Sequence, residues 1–434
     1  MREIWPISSL GELVTFYGGV GFPEHLQGNA SGEIPFFKVS DMSRKGNARF
    51  LETANNYVSE SLARSLSWRT APANSVVFAK VGAALLLNRR RQLVRQSLLD
   101  NNMTAASANS AVSNDWIYWQ LQLVDFADFV QVGALPSVNQ QQLSVIEIPT
   151  PCRVEQKAVA QILDTLDTQI QKTEALIAKL EKIKEGLLHD LLTRGIDQNG
   201  QLRPTPEQTP ELYKESALGL IPKRWEVRSI AESGVKLIDG DRGANYPSDQ
   251  DFTTGSGYCI FLSAKNVTRS GFRFDTRQFI SKDKDRVLGT GKLVRNDVIV
   301  TTRGTVGNFA HYSHSIPYNN IRINSGMLIL RGAESNLIPE FLYLSLKEHL
   351  FHRENGKKGS GSAQPQLPAR DFESFRLVIP DQEEQQKIIE LASVQNQRIK
   401  AENDEIQKLT SLKAALMDDL LTGRVRVTPL LANS

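Results

Sequence analysis

The longest regular pattern in the chain runs from Glu155 to Arg194. No proline and one glycine, Gly186, interrupt apolar residues spaced by three and four: Val159, Ile162, Leu166, Ile170, Ile177, Leu180, Ile183, Leu187 and Leu191. A second stretch, from Glu384 to Thr422, has neither proline nor glycine. It carries Ile388, Leu391, Ile399, Ile406, Leu409, Leu412, Leu416 and Leu420, with polar Asn403 in between. A stripe this narrow, held over many turns, predicts a coiled-coil seam, because a helix sunk in a globular core shows a wider apolar face. About 38 residues at ~1.5 Å each make a rod of roughly 57 Å. Neither rod buries its stripe alone, so the two are expected to pair with each other, antiparallel. Two independent coiled coils that mediate homodimerisation are the alternative.

Elsewhere the pattern is of short strands. Runs at 34–39, 75–79, 258–263, 297–302 and 326–331 are apolar and bounded by Gly, Asn, Asp and Ser, and amphipathic helices are expected around 115–130 and 339–351. Strand-like runs at 145–149 and 375–380 end in proline just before each long helix. Between the first helix and the second strand-rich region, Gly195, Gly200, Pro204, Pro206, Pro210 and Pro222 predict a linker without helix or core strand. The fold class expected is α+β: two loop-rich mixed domains in tandem, each followed by a long helix. The boundaries read 1–150 for the first domain, 151–194 for the first spacer helix, 195–222 for the linker, 223–378 for the second domain, and 379–434 for the second spacer helix and tail.

The chain is also a repeat. Residues 136–193 return without a gap, 229 positions on, as 365–422: Pro136 with Pro365, Pro151 with Pro380, Glu155-Gln156 with Glu384-Gln385, and Lys179-Leu180 with Lys408-Leu409. Upstream the match drifts. Trp5 answers Trp225, Asp41–Gly46 answers Asn266–Gly271, Asn74 answers Asn296, and Asn101-Asn102 answers Asn319-Asn320. Divergent front parts ahead of better preserved back parts predict two different binding events served by one mechanical device.

Composition narrows the picture. With 434 residues and 40% hydrophobic content the chain supports two ordinary cores. No apolar stretch approaches the roughly 20 residues of a membrane span, no signal peptide is seen at the N-terminus, and the two cysteines fall at non-equivalent positions, so a cytoplasmic protein with reduced thiols is expected. The net charge of +3 is unevenly spread: residues 216–378 hold 23 Lys+Arg against 16 Asp+Glu, whereas 151–215 and 379–434 are each slightly acidic. Phosphate contacts are therefore expected of the front parts, not of the helices.

Catalytic motifs are not found. Gly289-Thr-Gly-Lys292 lacks the spacing and the final Ser/Thr of a phosphate loop, no Gly-x-Gly-x-x-Gly opens a helix after a strand, and no Cys pair has zinc spacing. His311/His314 and His349/His352 are read as surface or loop residues, and no metal site is expected. The front-part loops carry residues suited to nucleic acid, since Arg and Lys neutralise phosphate or pair with guanine and Asn or Gln pairs with adenine. In the first domain these are Lys38, Ser40, Arg44, Lys45, Lys80, Arg89, Arg90, Arg91 and Arg95. In the second they are Arg242, Asn245, Tyr246, Lys265, Asn266, Arg269, Arg303, Lys357, Lys358 and Gln364.

Three segments carry a family resemblance: Ile-Pro-Asp-Gln-Glu-Glu-Gln-Gln-Lys-Ile at 379–388, Leu-Leu-Thr-Arg-Gly-Ile-Asp-x-x-Gly-x-Leu-Arg-Pro at 191–204, and Leu-Gly-x-Ile-Pro-x-x-Trp at 218–225. In their order and duplication the chain resembles the DNA-specificity subunit of type I restriction-modification enzymes over essentially its whole length. The resemblance implies a subunit without catalysis of its own. Each front part would be a target recognition domain reading one half of a bipartite, asymmetric site in double-stranded DNA, with the paired helices as a ruler. The implied partners are two methyltransferase subunits, which flip and methylate adenine, and two restriction-translocase subunits. S-adenosylmethionine, ATP and Mg would belong to those partners. A coiled-coil assembly scaffold with two protein-binding domains is the alternative reading.

Overall fold

The computed structural model describes residues 5–130, 135–332, 335–348 and 367–431. The chain forms two compact units, the first from Met1–Ala175 and Asp404–Ser434, the second from Leu176–Asn403. Each unit thus takes in one half of each long helix as well as a strand-rich domain, a division that contiguous sequence boundaries do not anticipate.

The two units repeat one topology. In the first, a five-stranded sheet has the order Val14–Gly18, Met103–Ala108, Val76–Ala79, Arg90–Leu93, Phe50–Leu51, and in the second a four-stranded sheet has the order Lys236–Asp239, Met327–Arg331, Val298–Thr301, Phe309–His311. A further sheet in each unit holds a fully buried strand, Ile34–Phe37 or Cys259–Leu262. That strand lies parallel to Leu98–Leu99 in one unit and to Ile321–Ile323 in the other. Continuous apolar runs such as Ile34-Pro-Phe-Phe37 form strands here because both faces are covered. Asn74 and Asn296 sit in the left-handed backbone region at φ +65° and +75°, each opening the central strand that follows; asparagine tolerates that conformation, and it turns the chain into the strand.

The repeat match at Asn101-Asn102 and Asn319-Asn320 is corrected. The backbone N–H of Asn102 donates to Asp100 Oδ1 at 2.9 Å, and that of Gly326 donates to Asn324 Oδ1 at 3.0 Å, each just beyond its parallel strand. Asn320 instead precedes its strand, and its carbonyl accepts from Ile260 N–H at 2.9 Å. Asn102 and Gly326 are therefore the equivalent pair, and the shared asparagines were coincidental.

The long helices span Arg153–Thr193 (α1) and Gln382–Leu421 (α2). They run antiparallel. In the first unit Val159 and Leu163 at the start of α1 share a core with Leu420 and Leu421 at the end of α2. In the second unit Leu191 and Leu192 at the end of α1 share a core with Ile388 and Ile389. Three expected seam residues, Ile183 (46% exposed), Leu391 (38%) and Leu412 (48%), face outward instead. Buried Leu163 and Ala392 hold seam positions, as do buried Thr173 and the half-buried Lys184, Gln395 and Lys413. A three-four heptad passes straight through these polar residues, whereas a search for apolar letters slides one place aside. Lys413 reaches Asp167 of α1 in an ion pair and lies 5.1 Å above the Trp119 ring, so a charge is accommodated within the seam.

The expected linker is also corrected in part. Its prolines bound a hairpin, Tyr213–Ser216 paired with Gly219–Pro222, and Ile196, Tyr213 and Ile221 are buried. The segment is packed down rather than free.

No described helix is long and apolar enough to cross a membrane. Cys152 is exposed, while Cys259 lies wholly inside its strand, where burial pushes the thiol up to about 12. Since only the thiolate reacts, native protein at neutral pH should take up one equivalent of a maleimide, at Cys152, and the second only after denaturation. Two equivalents without denaturant would contradict the packing of the second domain.

Candidate nucleic-acid interface

The residues the repeat preserves best turn out to brace each domain. Gln156 and Gln385 are fully buried and make the same bonds twice. Gln156 accepts from Ser113 N–H at 3.0 Å and donates to Pro151 O at 2.8 Å, and Gln385 accepts from Ile338 N–H at 2.8 Å and donates to Pro380 O at 2.9 Å. Ser113 and Ile338 are the N-caps of the domain helices Asn114–Leu123 and Pro339–Lys347, so each glutamine ties a recognition domain to the first turn of a long helix. The glutamate beside it closes a clasp. Glu155 takes both ends of the Arg426 guanidinium, at 2.8 and 2.7 Å. Glu384 likewise takes two bonds from Arg203, here through Nη1 and Nη2, and also accepts from Trp225 Nε1 at 3.0 Å and Ile196 N–H at 2.9 Å. Gly195 must pass against this group: a Cβ there would stand 2.2 Å from Glu384 Oε1 and 2.4 Å from Trp225, and its φ is +62°. Gly423, at φ +73°, makes the corresponding approach to Trp5. The sequence held a signal for these clasps, an acid retained at the same step of the gapless part of the repeat, but that signal carries no role by itself.

Several DNA-binding candidates are structural. Arg90 is 1% exposed, lies 3.9 Å from the Phe126 ring centroid and donates to the Val124 carbonyl; burial lowers its pKa to about 10. Arg91 donates to the carbonyls of Asn47, Arg90 and Met42. Asn266 is buried, accepting from Ser263 N–H and donating to the Arg273 and Thr276 carbonyls. Each satisfies local backbone and offers nothing to a base. Tyr246 is half-buried, edge-on to Phe261 at 5.7 Å, and Arg242 is paired with Asp239 at 3.0 Å. Asn245 donates to the Val287 carbonyl at 3.3 Å.

Arg242 and Asn245 are nonetheless exposed, and other candidates also reach the surface. Ser40, Arg44, Lys45 and Arg95 are exposed in the first unit, as are Lys265, Arg269 and Arg303 in the second. Lys38 is half-buried with its ammonium on Gln27 at 2.6 Å, Lys80 is half-buried, and Arg89 holds the Ser43 hydroxyl. Lys357, Lys358 and Gln364 lie outside the described residues.

In the second unit the structure gathers Lys265, Arg269 and the unforeseen Arg273 around one groove of about 550 Å³, whose other wall is the loop Thr305-Val-Gly-Asn308. A neighbouring groove of about 800 Å³ shares Arg269, Gly307 and Asn308 and reaches Lys347. Arg273 was overlooked because only the hairpin of Val267–Thr268 with Gly271–Phe272 folds it back beside Lys265. Among the described residues no three His, Cys, Asp or Glu side chains are gathered as metal ligands.

The pattern of the family described as "Type I restriction modification DNA specificity domain" matches residues 2–182 and again 222–411. The MjaVIII specificity subunit of Methanocaldococcus jannaschii is 23% identical over 98% of this chain and 94% of its own, and the MjaIX specificity subunit of the same organism 21% over the same shares. The type I restriction-modification S subunit from M. genitalium has a similar fold, with a TM-score of 0.56 at 15% identity over 97% of both chains. A chain solved in work on the assembly and conformational transition of the type I R-M system gives 0.57 at 15% identity, covering 98% of this chain and 99% of that one. With one brace and one strand topology built twice, and the domain pattern matched over both copies, this chain belongs to the family of type I restriction modification DNA specificity domains and is a tandem S subunit.

Proposed function

We propose that the chain recognises a bipartite, asymmetric DNA site and directs the methyltransferase and restriction subunits of a type I restriction-modification complex to it. The observation that carries this reading is that one scaffold recurs with identical bracing and different exposed cations: a common frame presenting two unlike surfaces. The antiparallel helices serve as the ruler between them. Two methyltransferase and two restriction subunits are the proposed complement, with adenine N6 as the methylated atom. S-adenosylmethionine, ATP and Mg are proposed as the partners' cofactors, and this chain contributes recognition and spacing.

Co-expression with the methyltransferase partner, followed by single-molecule sequencing of methylated DNA, should return one split, non-palindromic adenine motif. No such motif would overturn the proposal. Binding of the complex to DNA should also weaken by about a thousandfold or more between 50 and 200 mM salt if six or more phosphates are contacted. A protein-binding scaffold, the rival reading, would show a largely apolar contact with little salt dependence.

A further inference from the structure

Two arginines hold the same place in the two recognition domains. Each follows a short 3₁₀ turn, Val39–Ser43 or Ala264–Asn266, that leaves a fully buried strand. In the first turn Asp41 accepts from Lys38 N–H at 2.8 Å, and in the second Asn266 accepts from Ser263 N–H at 2.9 Å. Three residues after these side chains stand Arg44 and Arg269, both exposed, and two residues later the chain turns at Gly46 and Gly271, with φ of +96° and +109°.

The loop facing each arginine is equivalent as well. The registers Val76↔Gln92 and Val298↔His311 bring Asn88 onto Gly307, both in the left-handed region (φ +53° and +87°), and Arg89 onto Asn308. That last residue fastens the loop to the turn in both units: Arg89 donates to the Ser43 hydroxyl, and Asn308 Nδ2 donates to the Val267 carbonyl at 3.0 Å. Around this shared corner the other cations are not repeated. Lys38 corresponds to Ser263, Lys45 to Ser270, Lys80 to Thr302 and Arg89 to Asn308. An exposed arginine kept at one backbone position while its neighbours change, with Arg44 also donating to Asn55 Oδ1, suits what two unlike half-sites have in common, the phosphodiester backbone; the changing neighbours suit what differs, the bases.

We infer that Arg44 and Arg269 are equivalent phosphate anchors, one in each recognition domain, setting each domain's register on the DNA without reading sequence. Base choice falls to the non-equivalent residues around them, among them Lys45 and Ser270. The inference rests on the reading of this chain as a DNA-specificity subunit.

The test uses the full chain assembled with its methyltransferase partner. Arg44→Ala and Arg269→Ala should each weaken binding about tenfold, alike on the cognate duplex and on a scrambled one, and each should lower the slope of log affinity against log salt by about one. The methylated motif should stay unchanged, and Arg44→Lys and Arg269→Lys should retain most of the affinity. Unchanged affinity in the alanine variants, or loss confined to the cognate duplex with a relaxed motif, would overturn the anchor assignment. Thermal melting of each alanine variant separates a folding defect from lost contact, and the lysine variants, which keep the charge, then decide the point. If the unmodified complex yields no bipartite motif, the parent reading itself has failed, and that is visible before any variant is made.

Discussion

Replacing Glu384 with alanine is expected to destabilise the second unit by about 3–5 kcal/mol, the range for removing one member of a buried, hydrogen-bonded ion pair. Its carboxylate is 8% exposed, and the Arg203 side chain it holds is 14% exposed. Truncation would strand a guanidinium away from water and deprive Trp225 Nε1 and Ile196 N–H of their acceptor, so several buried donors lose their partner together. Chemical denaturation monitored by tryptophan fluorescence measures the effect. Glu383→Ala, one residue away, is the control: that side chain is 80% exposed and pairs with Lys387 across one helical turn, a solvent-screened contact whose loss should leave the unfolding midpoint nearly unchanged. Glu155→Ala should repeat the larger loss in the first unit by releasing Arg426. Should Glu384→Ala and Glu383→Ala behave alike, the clasp would be a surface contact and the account of why the repeat preserves it would fall.

The second large effect is on DNA. Insertion of seven residues midway along both α1 and α2 should lengthen the unread gap in the recognised site by about three base pairs and leave both half-sites intact. Seven residues add about 10 Å of helix at 1.5 Å each, and successive base pairs rise about 3.4 Å. A whole heptad is needed because the seam returns to the same face only after seven residues. A shorter insertion such as four residues should also change the gap, at the cost of local unwinding. Sequencing of methylated DNA from cells carrying the lengthened chain and its partner reads the outcome. An unchanged gap would show that the helices do not set the distance, whatever else they do.

Much of the architecture could be read from local pattern. The long helices were expected from Glu155 and Glu384 and begin at Arg153 and Gln382. The seven runs read as strands all contain strands, for example Val76–Ala79 within 75–79 and Met327–Arg331 within 326–331. Both results have a local cause, since helix and strand periods are properties of consecutive residues. Apolar identity is a poor guide to burial where the seam position itself is polar, which is why Ile183, Leu391 and Leu412 lie outside the seam that their spacing suggests.

The binding residues show the same division more sharply. Arg89, Arg90 and Arg91 look alike as a run of charge, yet Arg90 is sealed over Phe126 and Arg91 is spent on backbone carbonyls, while Arg89 bridges to a serine 46 residues away. In a strand successive side chains take opposite faces, and which face is covered depends on what packs there. Sequence by itself determined that the chain is a tandem repeat, that its helices are long and able to pair, and that its two front parts differ. Only the tertiary structure decided which charges are available. It also decided that each domain is braced by a clasp closed from afar, Glu155 with Arg426 and Glu384 with Arg203. The physical reason is that period and turn chemistry act between near neighbours, whereas desolvation and ion pairing depend on every residue that folding brings alongside.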